Sequence, residues 1–233
     1  MRQLLFFSSC LLAGSGLFAE KVGLLVVATG KYDVFVAPLI ESARKYFCVD
    51  DEVTYYVFTD GKIPQADDIV EVYQKRFGWP LDTLMRNTVY FEHKDLFAEE
   101  DYLYALDADM LFEDYVGHEI FGTRVATMHP GFALTKAEPS YERNPKSRAY
   151  VRRRPLGWPY FAGGFFGGSQ QGFLHIIEET SKRVKEDLDQ GIIAVWHDES
   201  QWNRYCLDFN PDVILNPSYC FSGLTQMGYS KEL

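Results

Sequence analysis

Hydrophobic positions along the chain switch repeatedly between strand and helix periods. Val22 to Thr29 reads as one continuous apolar run that ends in Gly30-Lys31-Tyr32, the pattern of a strand covered on both faces. Val36, Leu39, Ile40, Ala43, Tyr46 and Phe47 then recur at helical spacing, with Pro38 where a first turn tolerates it. Val53 to Phe58 predicts a second strand, closed by Asp60-Gly61, and Ile69 to Tyr73 a third. A helix from about Asp82 to Phe97 leads into a strand at Tyr102 to Leu106, and Val125 to His129 predicts another. Pro130 to Pro159 reads as irregular and is followed by the glycine-rich Ala162 to Gly168. Phe173, Leu174, Ile177, Val184 and Leu188 mark a helix from about Gln171 to Leu188. Ile192-Ile193-Ala194-Val195 is strand-like and precedes a short helix carrying Trp202 and Tyr205. This alternation predicts an α/β fold with one open sheet flanked by helices and wound through right-handed crossovers. Ligands of such sheets bind beyond the carboxyl ends of the strands, where Thr29 and Asp107 both fall.

With 47% hydrophobic and 16% aromatic residues, the 233-residue chain has ample material for one core. A net charge of -10 and a pI near 5.0 argue against a nucleic-acid partner, because phosphate backbones are held by clustered Lys and Arg. The one basic cluster, Arg152-Arg153-Arg154, reads either as a solvated loop or as a short lid gripping an anion through guanidinium forks. Residues 1–19 carry Arg2 and the apolar groups Leu4 to Phe7, Leu11 to Ala13 and Leu17 to Ala19. They predict a signal peptide or an N-terminal anchor, hence a secretory or cell-envelope location, with membrane association in the second case. Residues 20–233 remain as a single domain, with no repeat or linker dividing it. Cys48, Cys206 and Cys220 permit one internal bridge at most, lack Cys-x-x-Cys spacing and read as buried thiols.

Two clusters carry chemistry. The first is Asp107-Ala108-Asp109, delivered by the apolar strand before it. In an extended chain the two-residue period sends both carboxylates to one side, where they could share a cation. Hard oxygen ligands suit Mn²⁺ or Mg²⁺, ions that commonly hold a phosphorylated substrate. The second cluster is Trp196-His197-Asp198-Glu199-Ser200. Asp198 and Glu199 either cap the helix that follows or set a carboxylate against an electrophilic carbon, with His197 or Asp198 orienting it.

Phe58-Thr59-Asp60, Asp107-Ala108-Asp109, His129-Pro130-Gly131-Phe132, Tyr141-Glu142-Arg143, Gly163 to Ser169, Trp196 to Ser200 and Asn216 to Cys220 occur in that order. The ordered set, from about Lys21 to Phe221, resembles glycosyltransferase family 6, the group of the histo-blood-group A and B transferases and the α-1,3-galactosyltransferases. The resemblance implies a GT-A fold, a UDP-GalNAc or UDP-Gal donor, and Mn²⁺ with Mg²⁺ as the alternative. It also implies retaining transfer in α-1,3 linkage to a galactose-terminated glycan acceptor, fucosylated or not.

Matched position by position, the resemblance puts Val27, Ala28, Thr29 and Tyr32 at uracil and ribose and Arg86 at the diphosphate. Asp107 and Asp109, with Ala108 between them, match the metal-binding pair. Gly163, Gly164, His197 and Asp198 fall around the donor sugar, and Glu199 beneath its anomeric carbon as the catalytic carboxylate. His129, Trp158, Ala162 and Glu199 fall on the acceptor side, with Glu142 and the Tyr150 loop beside them. Small residues at Ala162 and Gly164 imply room for an acetamido group, hence UDP-GalNAc; the plainer reading is that the glycines let backbones pack closely. The family's mammalian members continue into a long basic tail that closes over UDP. Here Ser222 to Leu233 holds one base, Lys231, so Arg152 to Arg154 are the candidate replacement for that lid. The chemistry agrees: a cation and an arginine offset the charge developing on the leaving diphosphate, while a carboxylate faces the positive sugar ring. The sequence leaves open a UDP- or glycan-binding module without catalysis, and a metal-dependent hydrolase using Asp107, Asp109, His197 and Glu199.

Overall fold

The computed structural model describes residues 19–133 and 138–221. The predicted leader, apart from Ala19, and the Ser222 to Leu233 segment lie outside the described residues. Among the described residues no helix is long and apolar enough to cross a membrane. The strands are β1 (Lys21–Val27), β2 (Glu52–Thr59), β3 (Ile69–Tyr73), β4 (Tyr102–Leu106), β5 (Val125–Met128), β6 (Phe161–Ser169) and β7 (Val213–Leu215). The helices are α1 (Val36–Tyr46), α2 (Leu81–Leu84), α3 (Arg86–Glu92), α4 (Pro130–Ala133), α5 (Gln170–Leu188) and α6 (His197–Asp208).

One mixed sheet runs in the order β3-β2-β1-β4-β6-β5-β7. β3, β2, β1 and β4 are parallel, β6 is antiparallel to both of its neighbours, and β7 is parallel to β5. The apolar run of β1 is buried on both faces because successive side chains point opposite ways. Leu24 and Val26 join Leu39, Ile40 and Ala43 of α1 on one face. Leu25 joins Tyr90 of α3, Phe173 and Ile177 of α5, and Trp202 and Tyr205 of α6 on the other. Trp202 stacks on Phe166 of β6 with ring centroids 4.7 Å apart, so α6 is pinned to the middle of the sheet.

The sequence reading needs three corrections. The glycine-rich segment is a nine-residue strand, β6, with eight of its residues buried. It lacks the β-branched residues that signal a strand because it is squeezed between neighbours: a Cβ on Gly167 would lie 2.2 Å from the Leu103 carbonyl oxygen. Ile192 to Val195 forms no strand; Ile193 and Val195 are each 46% exposed, and the last strand is the unpredicted Val213–Leu215. The single helix expected from about Asp82 to Phe97 is divided at Met85 into α2 and α3, then continues as a 3-10 turn, Lys94–Phe97.

β1 neighbours β2 on one side and β4 on the other, so connections leave the β1–β4 seam in opposite directions. A crevice at the carboxyl ends of these two strands follows from that reversal.

Candidate active site

A cavity of about 440 Å³ opens at this crevice. Val27 and Thr29 from the end of β1, Lys31 and Tyr32 from the following 3-10 helix, and Leu106, Asp107, Ala108 and Asp109 from the end of β4 line it. Arg76, Trp79, Asp82, Thr83 and Arg86 complete the lining. The Phe58-Thr59-Asp60 motif supports the part that follows β1. Thr59 Oγ1 donates to the Ala28 carbonyl (2.7 Å), and the Gly30 N–H donates to Asp60 Oδ1 (2.6 Å). Gly30 has φ +61°, a turn that glycine adopts without a Cβ penalty.

Asp107 and Asp109 meet the same cavity, but not through the pleat of a strand. β4 ends at Leu106, and residues 108–109 form a turn in which the Met110 N–H donates to the Asp107 carbonyl (3.3 Å). Burial and then the Asp107 charge push the Asp109 carboxyl above its ordinary range, the electrostatic condition that a shared cation would relieve. Among the described residues no group of three or more His, Cys, Asp or Glu side chains gathers to hold an ion. Two hard oxygen arms beside an open cavity fit a divalent cation whose remaining ligands come from substrate and water.

Arg86 joins this cavity to the second acidic cluster. It opens α3, is 6% exposed, and its guanidinium reaches three acceptors. Nη1 donates to Asp107 Oδ1, while Nη2 donates to the Gly163 carbonyl (2.6 Å) and to Asp198 Oδ2 (2.6 Å). Burial opposes its charge, but Asp198 and Asp107 outweigh that penalty and hold it protonated. Burial pushes Asp198 up to about 6 despite the counter-pull of Arg86.

Glu199 sits one residue further along α6, where the Gly163 N–H donates to its Oε2 (2.8 Å). Burial pushes this carboxyl up to about 7, the Gly163 N–H opposing the rise. Asn203, one turn on, ties α6 to β6: its amide donates to the Phe161 carbonyl (2.8 Å) and the Glu199 carbonyl (2.9 Å) and accepts from the Phe161 N–H (2.9 Å). His197 has φ +50°, a left-handed conformation that is costly for a residue with a Cβ. Its ring meets Trp79 edge-on with centroids 4.7 Å apart, and burial lowers its pKa. Asp198 and Glu199 therefore do more than cap a helix: their oxygens hold Arg86 and the backbone of β6.

A second cavity of about 370 Å³ lies beyond the start of β6, walled by Met128, Phe132, Trp158, Tyr160, Glu138 and Arg154 among others. Tyr160 is 4% exposed, and its hydroxyl is buried without a fully formed hydrogen bond. Its ring meets Phe132 and Tyr141 edge-on at 5.0 and 5.1 Å.

The profile described as glycosyltransferase family 6 matches residues 16–233. The chain belongs to that family. Curated relatives include rat histo-blood group ABO system transferase 1, 39% identical over 209 residues that make up 85% of this chain and 60% of the relative. Chicken and human globoside alpha-1,3-N-acetylgalactosaminyltransferase 1 are each 32% identical, again over 85% of this chain and about 60% of their own length. The match therefore spans about three fifths of these family 6 proteins.

Several residues expected from the family pattern lie outside the lining of the first cavity. Ala28 is fully buried and meets β2 through its backbone, so it supports the cavity wall rather than forming it. Ala162 is 3% exposed inside β6. Trp158 lines the second cavity, whereas His129 packs behind it on Phe132 and Tyr160. Both carboxylate oxygens of Glu142 are held by backbone, Oε1 by the Asn144 N–H (2.6 Å) and Oε2 by the Val195 N–H (2.8 Å). That motif braces loops. Arg154 donates to the Trp158 carbonyl (2.7 Å) and pairs with Glu138 at 3.3 Å, which places it at the second cavity and not over the first.

The space above Gly164 is also taken. A Cβ there would lie 2.6 Å from Cys220 Sγ, 3.0 Å from Asp107 Oδ2 and 3.4 Å from Met110 Sδ. Gly164 is small because other side chains crowd it, so its size alone does not imply a pocket for an acetamido group. Burial and then Asp107 push the Cys220 thiol up to about 12, which keeps it neutral. Sequence reasoning missed Lys31, Arg76, Trp79 and Asn203. Lys31 and Arg76 look like ordinary surface charges, and only the two cluster positions carried a spacing signal.

Proposed function

We propose that this family 6 chain moves N-acetylgalactosamine, or galactose, from a UDP-sugar to a galactose-terminated glycan in α-1,3 linkage, retaining the anomeric configuration. The single observation that carries this reading is the Arg86 bridge. One buried guanidinium holds Asp107 at the nucleotide-sized cavity and Asp198 beside Glu199. Val27, Thr29 and Tyr32 would contact uracil and ribose, and Lys31, Arg76 and Arg86 supply positive charge for a diphosphate. Asp107 and Asp109 would hold Mn²⁺ or Mg²⁺, which when bound offsets the charge on the departing UDP.

The chain's own residues supply the rest. Glu199, oriented by the Gly163 N–H and by the Asn203 brace, presents a carboxylate to the sugar carbon that becomes positive. Asp198 and His197 orient the hexose. The acceptor glycan would enter through the Trp158 cavity, whose aromatic lining suits the apolar face of a sugar ring. Names of the globoside relatives favour an N-acetylgalactosaminyl donor. The apolar stretches in residues 1–19 support a secretory or envelope location.

The test is incubation with UDP-GalNAc or UDP-Gal, Mn²⁺ and galactosides with and without fucose, read by product mass and linkage. An α-1,3-linked product that EDTA suppresses is expected. UDP binding without any product across both donors would instead mark a nucleotide-binding module without catalysis.

A further inference from the structure

The proposed chemistry requires Glu199 as an anion at a place that disfavours one. Asp198 on the same helix and Asp107 at the end of β4 both repel its charge. The nearby Cys220 thiol is neutral, and the hydrogen bonds of the Arg86 guanidinium go to Asp107, Asp198 and the Gly163 carbonyl rather than to Glu199. The Gly163 N–H gives Glu199 one hydrogen bond. Tyr160 adjoins Phe161, whose backbone N–H and carbonyl are tied to the Asn203 amide that also holds the Glu199 carbonyl; its buried hydroxyl, without a formed hydrogen bond, favours the charged form of the Glu199 carboxyl. Phe132 and Tyr141 pack edge-on against its ring, and the Tyr160 backbone carbonyl accepts from the His129 N–H (2.8 Å). A buried hydroxyl without a partner beside a buried carboxylate that holds a single backbone hydrogen bond gains by closing onto it, because a buried donor left unpaired is costly and a hydrogen bond to a charged group is strong.

We propose that Tyr160 is a positioning residue, which holds the Glu199 carboxylate as an anion and aims it, and which links that carboxylate to the Trp158 cavity. The same phenol lines the second cavity, so a molecule seated there packs against the group that orients Glu199. The assignment rests on the transferase reading for its purpose, but its test does not.

Tyr160→Phe keeps the ring and removes the donor. Thermal melting is compared across pH between each protein and its Glu199→Gln counterpart, in the parent and in the Tyr160→Phe background. The stability gained on neutralising Glu199 should grow with pH and level off near the carboxyl's own titration, about 7 in the parent. In Tyr160→Phe it should level off about one pH unit higher, the worth of one hydrogen bond to a charged group. Tyr141→Phe, in the same aromatic cluster, should leave the profile unmoved. In the transferase assay the acid limb of kcat should move up by the same unit while KM for the donor stays. An unshifted melting profile overturns the role of Tyr160 whatever the activity. A shifted profile in a chain without transfer sustains it and counts against the transferase reading instead.

Discussion

Replacing Arg86 by Met keeps the apolar stem and removes the cation, leaving the Asp198 carboxylate buried with no counter-charge. Arg86 and Asp198 are 6% and 5% exposed, so solvent does little to soften the loss. Breaking such a buried pair costs about 3–5 kcal/mol. In a chain of this size that lowers Tm by roughly 6–20 °C, at about 2–4 °C per kcal/mol. Proton uptake limits the damage. Burial already raises Asp198 to about 6 with Arg86 pulling the other way, and without that pull it rises further. A carboxyl whose folded pKa exceeds its unfolded value gives stability that is whole below the unfolded pKa and lost as pH rises through the folded one. The variant should therefore lose little at about pH 5 and most at about pH 8, falling more steeply than the parent. Adding Asp198→Asn should restore much of the loss at the higher pH, because no unpaired charge then remains. Differential scanning calorimetry of the parent, Arg86→Met and the double variant at both pH values reads this directly. A single variant that melts within about 2 °C of the parent at the higher pH, or one that Asp198→Asn fails to rescue, would refute the reasoning.

Other expectations follow from the same geometry. Glu199→Gln should lower kcat by about 10² to 10⁴ if the carboxylate faces the developing positive charge, and a near-parental rate removes Glu199 from the mechanism. Parental kcat/KM should rise with pH through about 7 as Glu199 ionises and then stay level; a pH-rate profile already flat below that range contradicts the assignment. Gly164→Ala should lower activity and stability because its Cβ meets Cys220 Sγ at 2.6 Å. Adding Cys220→Ala should recover part of both, and the ratio of rates with UDP-GalNAc and UDP-Gal measures whether this contact shapes donor choice. Asn203→Ala leaves the Phe161 backbone groups unpaired and should cost about 1–3 kcal/mol by chemical denaturation.

The parallel half of the sheet was legible because β1, β2 and β4 are buried on both faces and therefore read as apolar runs. The Asp107 pair and the Trp196 to Ser200 cluster were legible because their acids follow apolar stretches at recognisable spacing. β6 was not, since close packing against Leu103 and Tyr104 demands glycine where a strand signal would show valine or isoleucine. Ile192 to Val195 misled for the opposite reason: its apolar side chains are partly exposed on a loop, with no strand beside them. The Arg86 bridge lies beyond local pattern altogether. Its acceptors stand 21, 77 and 112 positions away, and only the antiparallel entry of β6 beside β4 brings them together.

The most direct measurement is a structure of the chain bound to an unhydrolysable UDP-GalNAc analogue with Mn²⁺. The account predicts an ion between the Asp107–Asp109 pair and the phosphates, and the Glu199 carboxylate about 3–3.5 Å from the anomeric carbon. A donor sugar turned away from Glu199, or phosphates bound with no ion at the aspartates, would contradict it.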